Sequence, residues 1–192
     1  MKFGNWKCFR PFYVYPPLAV LMLAYALQHN IYAPVTTILI LLLGLVEWMI
    51  IEYVMHRFCF HLDARSPRVR AVLQGLHLTH HANTQDMKYM FVPVSFGLAL
   101  TALSIWLRAL LVWSWQGALI VTVGVWIGYL WYEFVHYSAH MRRPQNRLLR
   151  YLKVYHLKHH FQDEHSWFGV TTPFIDYLFR TYRPITKQVA RN

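Results

Sequence analysis

Ten of the twelve histidines in this chain fall into four short groups, and their spacing carries a chemistry. Tyr155-His156-Leu157-Lys158-His159-His160 places imidazoles at i, i+3 and i+4, positions that share one face of a helix. The same spelling occurs earlier as His77-Leu78-Thr79-His80-His81. Two pairs complete the set: His56 with His61, five residues apart, and His136 with His140, four apart. Only His29 and His165 stand outside, the latter read as a loop residue. Neutral imidazole is the commonest protein ligand for a transition metal. A lone histidine on an apolar helix is ordinarily a satisfied core residue, but no packing demand calls for triads at helical spacing. Ten donors are too many for one ion. The count implies two metals, each with several histidines and room for a bridging water or oxygen species.

The elements that must carry these groups are membrane elements. Hydrophobic residues make up 56% of the chain and charged ones 14%, with eight Trp and thirteen Tyr, a profile of a bilayer protein rather than a soluble domain. At 192 residues, with no linker, residues 1–192 read as a single domain. The net charge of +11 does not point to nucleic acid. The basic residues flank apolar runs, where anionic lipid headgroups are the simpler partner. Cys8 and Cys59 cannot form a disulfide framework and are expected to be reduced thiols, not metal ligands.

Four apolar runs are expected to span the bilayer: Phe12 to Leu27, Ile31 to Met55, Phe91 to Leu111 and Gly117 to Tyr137. The first could be read as a signal peptide, but Pro16-Pro17 and the immediate onset of the next run favour a retained span. Glu47 and Glu52 lie in the second run. A carboxylate at that depth is costly unless paired or functional. Glu52, one turn before His56, either supports the metal site or already lies among headgroups. Ser66-Pro67 reads as the start of an amphipathic interfacial helix through Val69, Val72, Leu73 and Leu76 to His80. Pro144 opens another, with Leu148, Leu149, Leu152, Tyr155, His156 and His159 as its stripe. Trp113-Ser114-Trp115-Gln116 suits a membrane–water boundary between the third and fourth spans. Glu133, His136 and His140 share one face of the fourth span as it leaves the bilayer.

An all-α integral membrane fold follows, with four transmembrane helices and interfacial helices bearing a histidine-rich dimetal site. Four spans put both termini, all four histidine groups and every Lys and Arg except Arg108 on one side. The positive-inside rule makes that side cytoplasmic, at a bacterial inner membrane or an endoplasmic reticulum.

Imidazole-rich sites with open positions next to a lipid-accessible cavity suit O2 activation against an unactivated C–H bond, a reaction whose hard chemistry belongs to the cofactor. The chain resembles the fatty acid hydroxylase superfamily of membrane-bound histidine-box oxygenases, and within it the fatty acid 2-hydroxylases. His56-x4-His61, His77-x2-His80-His81, His136-x3-His140 and His156-x2-His159-His160 carry the resemblance. The runs Asp86 to Val94 and Phe168-Gly169-Val170-Thr171-Thr172-Pro173, with Asp176-Tyr177, add to it. The resemblance implies that the ten box histidines hold two metal ions, with iron as the catalytic metal. Zinc is expected in isolated protein, because it outcompetes ferrous iron at nitrogen sites. It also implies hydroxylation at C2 of a long-chain acyl group, free or within a lipid such as a ceramide, with the acyl tail lying between spans.

Two departures from the family pattern stand out. Many eukaryotic relatives carry an N-terminal cytochrome b5 domain, which this chain is expected to lack, so electrons come from a separate ferredoxin or cytochrome b5 with its reductase. Arg180 stands where the family often has a small residue, a departure that bears on headgroup or substrate preference. Tyr137, Tyr155 and Trp167 lie beside the boxes, either lining the pocket or anchoring the protein at the interface. Rival readings are a sterol or carotenoid oxygenase, an acyl desaturase, or a membrane metal-binding or transport protein without redox chemistry. Confinement of the ligands to one side counts against transport.

Overall fold

The structure, a computed structural model, describes residues 6–29, 32–111 and 114–184. Lys2, Asn30, Ile31 and Trp113, and the side chains of Lys7 and Leu76, lie outside them. The described residues are helical and contain no strand. Helix α1 covers Arg10–Gln28, α2 Pro34–Val54, α3 Pro67–Leu73, α4 Thr79–Ala82, α5 Val94–Leu111, α6 Trp115–Met141, α7 Arg147–Phe161 and α8 Pro173–Leu178. Three stretches are long and apolar enough to cross a membrane: Pro34–Phe60, Val94–Leu111 and Trp115–Met141. Helix α1, at 19 residues, is not among them. Its prolines and tyrosines dilute its apolar character, although it packs along α6 as a further member of the bundle.

Helix α6 is the axis of that bundle. Its contacts with α2 advance in step, Gly44 against Gly124 and Trp48 against Gly128, so the two helices run parallel. A Cβ on Gly44 would lie 2.2 Å from the Val121 carbonyl oxygen, and one on Gly124 would lie 2.2 Å from that of Leu41. Only glycine lets the backbones meet this closely. Gly124-x-x-x-Gly128 is the small-residue spacing that membrane helices use for such approaches. Helices α1 and α5 run against α6. Tyr15 packs on Trp126 and Tyr129 while Ala26 shares a buried cluster with Leu119, Ile120 and Val121, and Thr101 accepts from Trp126 Nε1 while Arg108 reaches Thr122. A parallel α2–α6 pair has one functional consequence. The C-terminal ends, which carry His56 and His136/His140, emerge together.

Arg108, the one basic residue expected on the far side, forms an ion pair there with Glu47 of α2 and donates to Ser104 Oγ at 3.0 Å and Thr122 Oγ1 at 3.2 Å. The costly intramembrane carboxylate is thus paired.

Two helices change pitch where histidines are needed. Helix α2 widens into a π-helical turn over Met55–Phe60, closed by His61 N–H donating to His56 C=O at 3.3 Å. In an α-helix residues five apart point about 140° away from each other. The i→i+5 turn brings His56 and His61 round to one side, an instance of π-turns marking functional sites. A second π segment, Gln74–Leu78, joins α3 to α4 and carries His77. Helix α7 begins later than Pro144 suggested, because Asn146 is a better cap and its Oδ1 accepts from Leu149 N–H at 2.8 Å.

Gly124→Val should break the α2–α6 approach and lower thermal stability in detergent by about 1–3 kcal/mol or more. Gly75→Ala, whose added carbon would meet nothing within 4 Å, should leave the melting temperature in place.

Candidate metal centre

The ten box histidines converge on two points. His56, His61, His77, His81 and His159 form one group, and His80, His136, His140, His156 and His160 the other; in each, the ligand atoms lie within 4.8 Å of one another. Every box except the two pairs is split between the groups. From the first triad His77 and His81 go to one group and His80 to the other. From the last triad His156 and His160 go to the second group and His159 to the first. Adjacent helical residues diverge by about 100°, so His80 and His81 cannot address one ion, whereas i and i+4 can.

Within each group the Nε2 atoms face one another. His77 Nε2 lies 3.1 Å from that of His56 and 3.0 Å from that of His81, and His159 lies 3.1 Å from His61. In the second group His80–His140 is 3.1 Å, His80–His136 and His140–His156 are 2.9 Å, and His156–His160 is 3.0 Å. A metal–nitrogen bond of about 2.0–2.1 Å would hold ligands at right angles about 3.0 Å apart, and tetrahedral ones about 3.4 Å apart. The observed spacing fits the former.

Tautomers point the same way. His56 Nδ1 lies 2.6 Å from the carbonyl oxygen of Phe168, and His159 Nδ1 2.7 Å from that of Ser166. A carbonyl only accepts, so each Nδ1 carries the proton and each Nε2 presents a lone pair. Burial holds the imidazoles in the neutral form that a metal requires. It pushes His61 and His81 down to about 3 and His80 to about 4, and holds His77, His156, His159 and His160 well below the ordinary range. Each group can hold a metal ion. His29 and His165 belong to neither group, and Cys59 is a free thiol outside both.

The loop that supplies those carbonyls is held by two buried carboxylates. Glu52 of α2 accepts from Thr171 N–H at 2.7 Å, from the Thr171 hydroxyl and from Thr172 Oγ1 at 3.4 Å. Of its two readings, these hydrogen bonds favour support of the site, through the loop. Asp176 of α8 accepts from Phe168 N–H at 2.9 Å, Gly169 N–H at 2.8 Å, Tyr155 O–H at 2.8 Å and Thr181 O–H at 2.6 Å. Glu133 accepts from Val92 N–H at 3.1 Å, tying the start of the α5 segment to α6. Sequence reasoning passed over Asp176 as a positioning group, although its place beside the FGVTTP run was a cue.

Tyr155 and Trp167 are neither interfacial anchors nor pocket lining. Both are buried within the protein, Tyr155 on Asp176 and Trp167 with Nε1–H on the Arg183 carbonyl at 2.8 Å. Tyr137 stacks on Phe91 instead. The cavity that does adjoin the site lies on the membrane side. Two of its walls, Phe60 and Tyr132, stack on His77 and His136, one histidine from each group.

A profile described as fatty acid hydroxylase matches residues 41–181, which contain all four boxes. The chain belongs to the fatty acid hydroxylase family. Among family members it is similar to the dihydroceramide fatty acyl 2-hydroxylase of Arabidopsis thaliana, 32% identical over 74% of this chain and 60% of the plant protein. It is likewise similar to the fatty acid 2-hydroxylase of Mus musculus, 34% identical over 74% of this chain and 39% of the mouse protein. The ceramide very long chain fatty acid hydroxylase of Schizosaccharomyces pombe is 35% identical over 75% of this chain and 42% of its own length. The chain therefore spans between 39% and 60% of these relatives. A solved structure of full-length scs7p, in which only the hydroxylase domain is visible, superimposes with a TM-score of 0.80 at 30% identity, covering 88% of this chain and 63% of that one.

Arg180, the departure from the family pattern, has a backbone explanation. It follows the end of α8 with φ 57°, in the left-handed region. Its N–H donates to Tyr177 C=O at 3.3 Å, and the next, Thr181 N–H, to Asp176 C=O at 2.8 Å. That is the helix-ending motif in which glycine is favoured, so the backbone by itself gives a reason for a small residue there. Arg180→Gly should raise stability by about 1 kcal/mol, read as a higher melting temperature. Asp176→Ala should strand two buried N–H groups and two hydroxyls and lower stability by about 3 kcal/mol or more, with a fall in retained metal as the carbonyls of Ser166 and Phe168 lose their placement.

Proposed function

We propose that this chain is a membrane-bound, O2-dependent hydroxylase that inserts oxygen at C2 of long-chain fatty acyl groups, free or within a sphingolipid. The observation that carries the reading is the pair of five-nitrogen groups with Nε2 separations of 2.9–3.1 Å, set beside an apolar cavity in a chain of this family. In this reading His56, His61, His77, His81 and His159 hold one iron ion, and His80, His136, His140, His156 and His160 the other. Zinc can take the same sites in isolated protein. The bound metals would supply O2 activation and removal of the C2 hydrogen, chemistry that no side chain here provides. The protein's share is orientation and exclusion of water. Phe168 and Ser166 carbonyls fix two rings, Glu52 and Asp176 hold the loop that carries those carbonyls, and Phe60 and Tyr132 stack on His77 and His136 where the cavity meets the site.

The arrangement in the membrane follows from charge. Helix α1 is the fourth span, and the end of the bundle that bears the histidines faces the cytoplasm, where Arg142, Arg143, Arg147 and Arg150 are exposed beside α7. In the overall reaction one oxygen atom enters the C–H bond and the other leaves as water, consuming two electrons and two protons. Those electrons come from a separate ferredoxin or cytochrome b5 with its reductase, and the basic surface steers such acidic carriers.

His80→Ala and His159→Ala, one from each group, should each lower the metal content of purified protein and abolish turnover without preventing membrane insertion. His29→Ala should do neither. Loss of metal in the His29 variant, or full activity in the other two, would overturn the ligand assignment.

Purified protein with NAD(P)H alone should form no product. Added reductase and an acidic one-electron carrier should give a 2-hydroxy acid whose hydroxyl oxygen comes from 18O2, at a rate that falls with salt. Label arriving from water would exclude an oxygenase. Charge reversal at Arg142 and Arg143 should slow the reaction, and an unchanged rate would remove docking at those residues.

A further inference from the structure

The cavity on the membrane side is a wedge between α2 and α5, backed by α6. Its volume is about 160 Å³. Phe60 and Tyr132 wall the end next to the histidines, Leu100 and Trp126 line the middle, and Ser104 and Arg108 form the far end. Along α5 the lining runs from Phe96 to Arg108, which at about 1.5 Å per residue is roughly 18 Å. The hydrocarbon of a bilayer is about 30 Å thick, so the wedge is about as deep as one leaflet's acyl layer. Helix α5 has no buried residue of its own and packs on α6 and α1. Leu100, 42% exposed, lines the wedge and also faces outward. The wedge is therefore a cleft reachable from lipid, not a sealed void. At its far end the side chains of α2 and α5 are bridged by the Glu47–Arg108 ion pair, itself tied to Ser104 and Thr122.

We propose that the wedge holds the alkyl tail of the substrate, methyl end towards Arg108, and that the Glu47–Arg108 bridge limits the length of tail accepted. The inference rests on the acyl-hydroxylase reading above. Its occupant is an alkyl chain because the exposed walls are mainly apolar, Glu52 at the inner end being engaged by Thr171, over a length close to that of one leaflet, and because the inner end abuts rings stacked on one histidine of each metal group. The bridge acts as a floor. A longer chain would have to part an ion pair within hydrocarbon, leaving a carboxylate and a guanidinium unpaired where charge is most costly. Arg108 and Glu47 touch no histidine of either group, so they act on which chain binds and not on the chemistry.

The test uses the full chain in nanodiscs of phosphatidylcholine and phosphatidylglycerol, irradiated with palmitic acid that carries a diazirine near its methyl end. Label should concentrate on residues 100–108 and on the α6 face opposite. Leu100→Trp should cut that labelling about ten-fold while metal content stays unchanged, and Leu100→Ala should keep it. Replacing both Glu47 and Arg108 with Leu should carry label beyond residue 108 and, in turnover with fatty acids of graded length, move the preferred substrate to longer chains. Label spread evenly over outward residues such as Val35, Leu39 and Leu42, indifferent to Leu100→Trp, would overturn the wedge. Turnover with an unchanged length profile in the Glu47/Arg108 double variant would overturn the floor. Labelling of the wedge without any 2-hydroxy product supports the alkyl site and sinks the hydroxylase reading instead, so the two failures are distinct.

Discussion

Two sets of nitrogen lone pairs, each gathered within 4.8 Å, are the constraint to which the rest of this molecule answers. Neutral imidazoles at Nε2 separations of 2.9–3.1 Å cannot all satisfy one another. His77 faces two neighbours at once, and His56 has already committed its proton to the Phe168 carbonyl. Without a cation between them such atoms repel and remain desolvated, a cost that buried polar groups carry in full. Metal binding relieves both penalties together. Its free energy is therefore also folding free energy for this end of the bundle.

Holding a repulsive cluster in place requires stiffness from both sides of the membrane boundary. From the hydrocarbon side it comes through the parallel α2–α6 crossing, where backbone meets backbone at Gly44 and Gly124 and leaves no side chain to yield. That crossing delivers His56, His136 and His140 to one level. From the aqueous side α7 and the π-broken α3–α4 segment bring in the two triads, and the Ser166–Thr172 loop closes over them. Helix α2 is common to both halves. It carries Gly44 in its middle, Glu52 and Tyr53 near its end and His56 one turn on. Tyr53 O–H meets Thr181 Oγ1 at 2.8 Å and Glu52 receives Thr171, so the element that presents a ligand also seats the loop that orients it.

Most of this site was legible in the sequence, and the parts that were not share a physical reason. Triads at i, i+3 and i+4 declare themselves because an α-helix projects those positions to one face. Their division between two ions follows from the same 100° step, but only once two separate centres are allowed. The His56/His61 pair was visible as a pair and opaque as geometry, since five residues close on one side only in a π-turn, and local sequence does not announce that change of pitch. The close approach of Gly124 to Gly44, 80 positions earlier, was not read from the sequence, because nothing local pairs two glycines so far apart. Glu52 and Thr171 are separated by 119 residues, and the Glu47–Arg108 pair by 61, distances over which charge alone proposes many partners. Arg180 illustrates the opposite error. An arginine where the resemblance led one to expect a small residue invites a substrate explanation, yet its φ of 57° shows a demand made by the chain's own backbone.

The bundle also keeps its polar devices in two separate layers. One layer, at the histidine end, is tied together by Glu52, Asp176 and backbone groups. The other, at the far end, is the Glu47–Arg108 bridge with Ser104 and Thr122, joining helices that between those layers stand apart. Apolar side chains fill the interval, lightly enough to leave a cavity of about 160 Å³. Close packing is the default of protein interiors, and a void lined by Trp126, Leu100 and Phe60 forfeits dispersion contacts on every wall. An uncovered polar pair at its floor adds the cost of charge in hydrocarbon. Both penalties fall when an alkyl chain lies between the layers: it restores the contacts and shields the pair from competing partners. The same separation of layers therefore makes the interior most stable when an alkyl chain occupies it, the occupant proposed above.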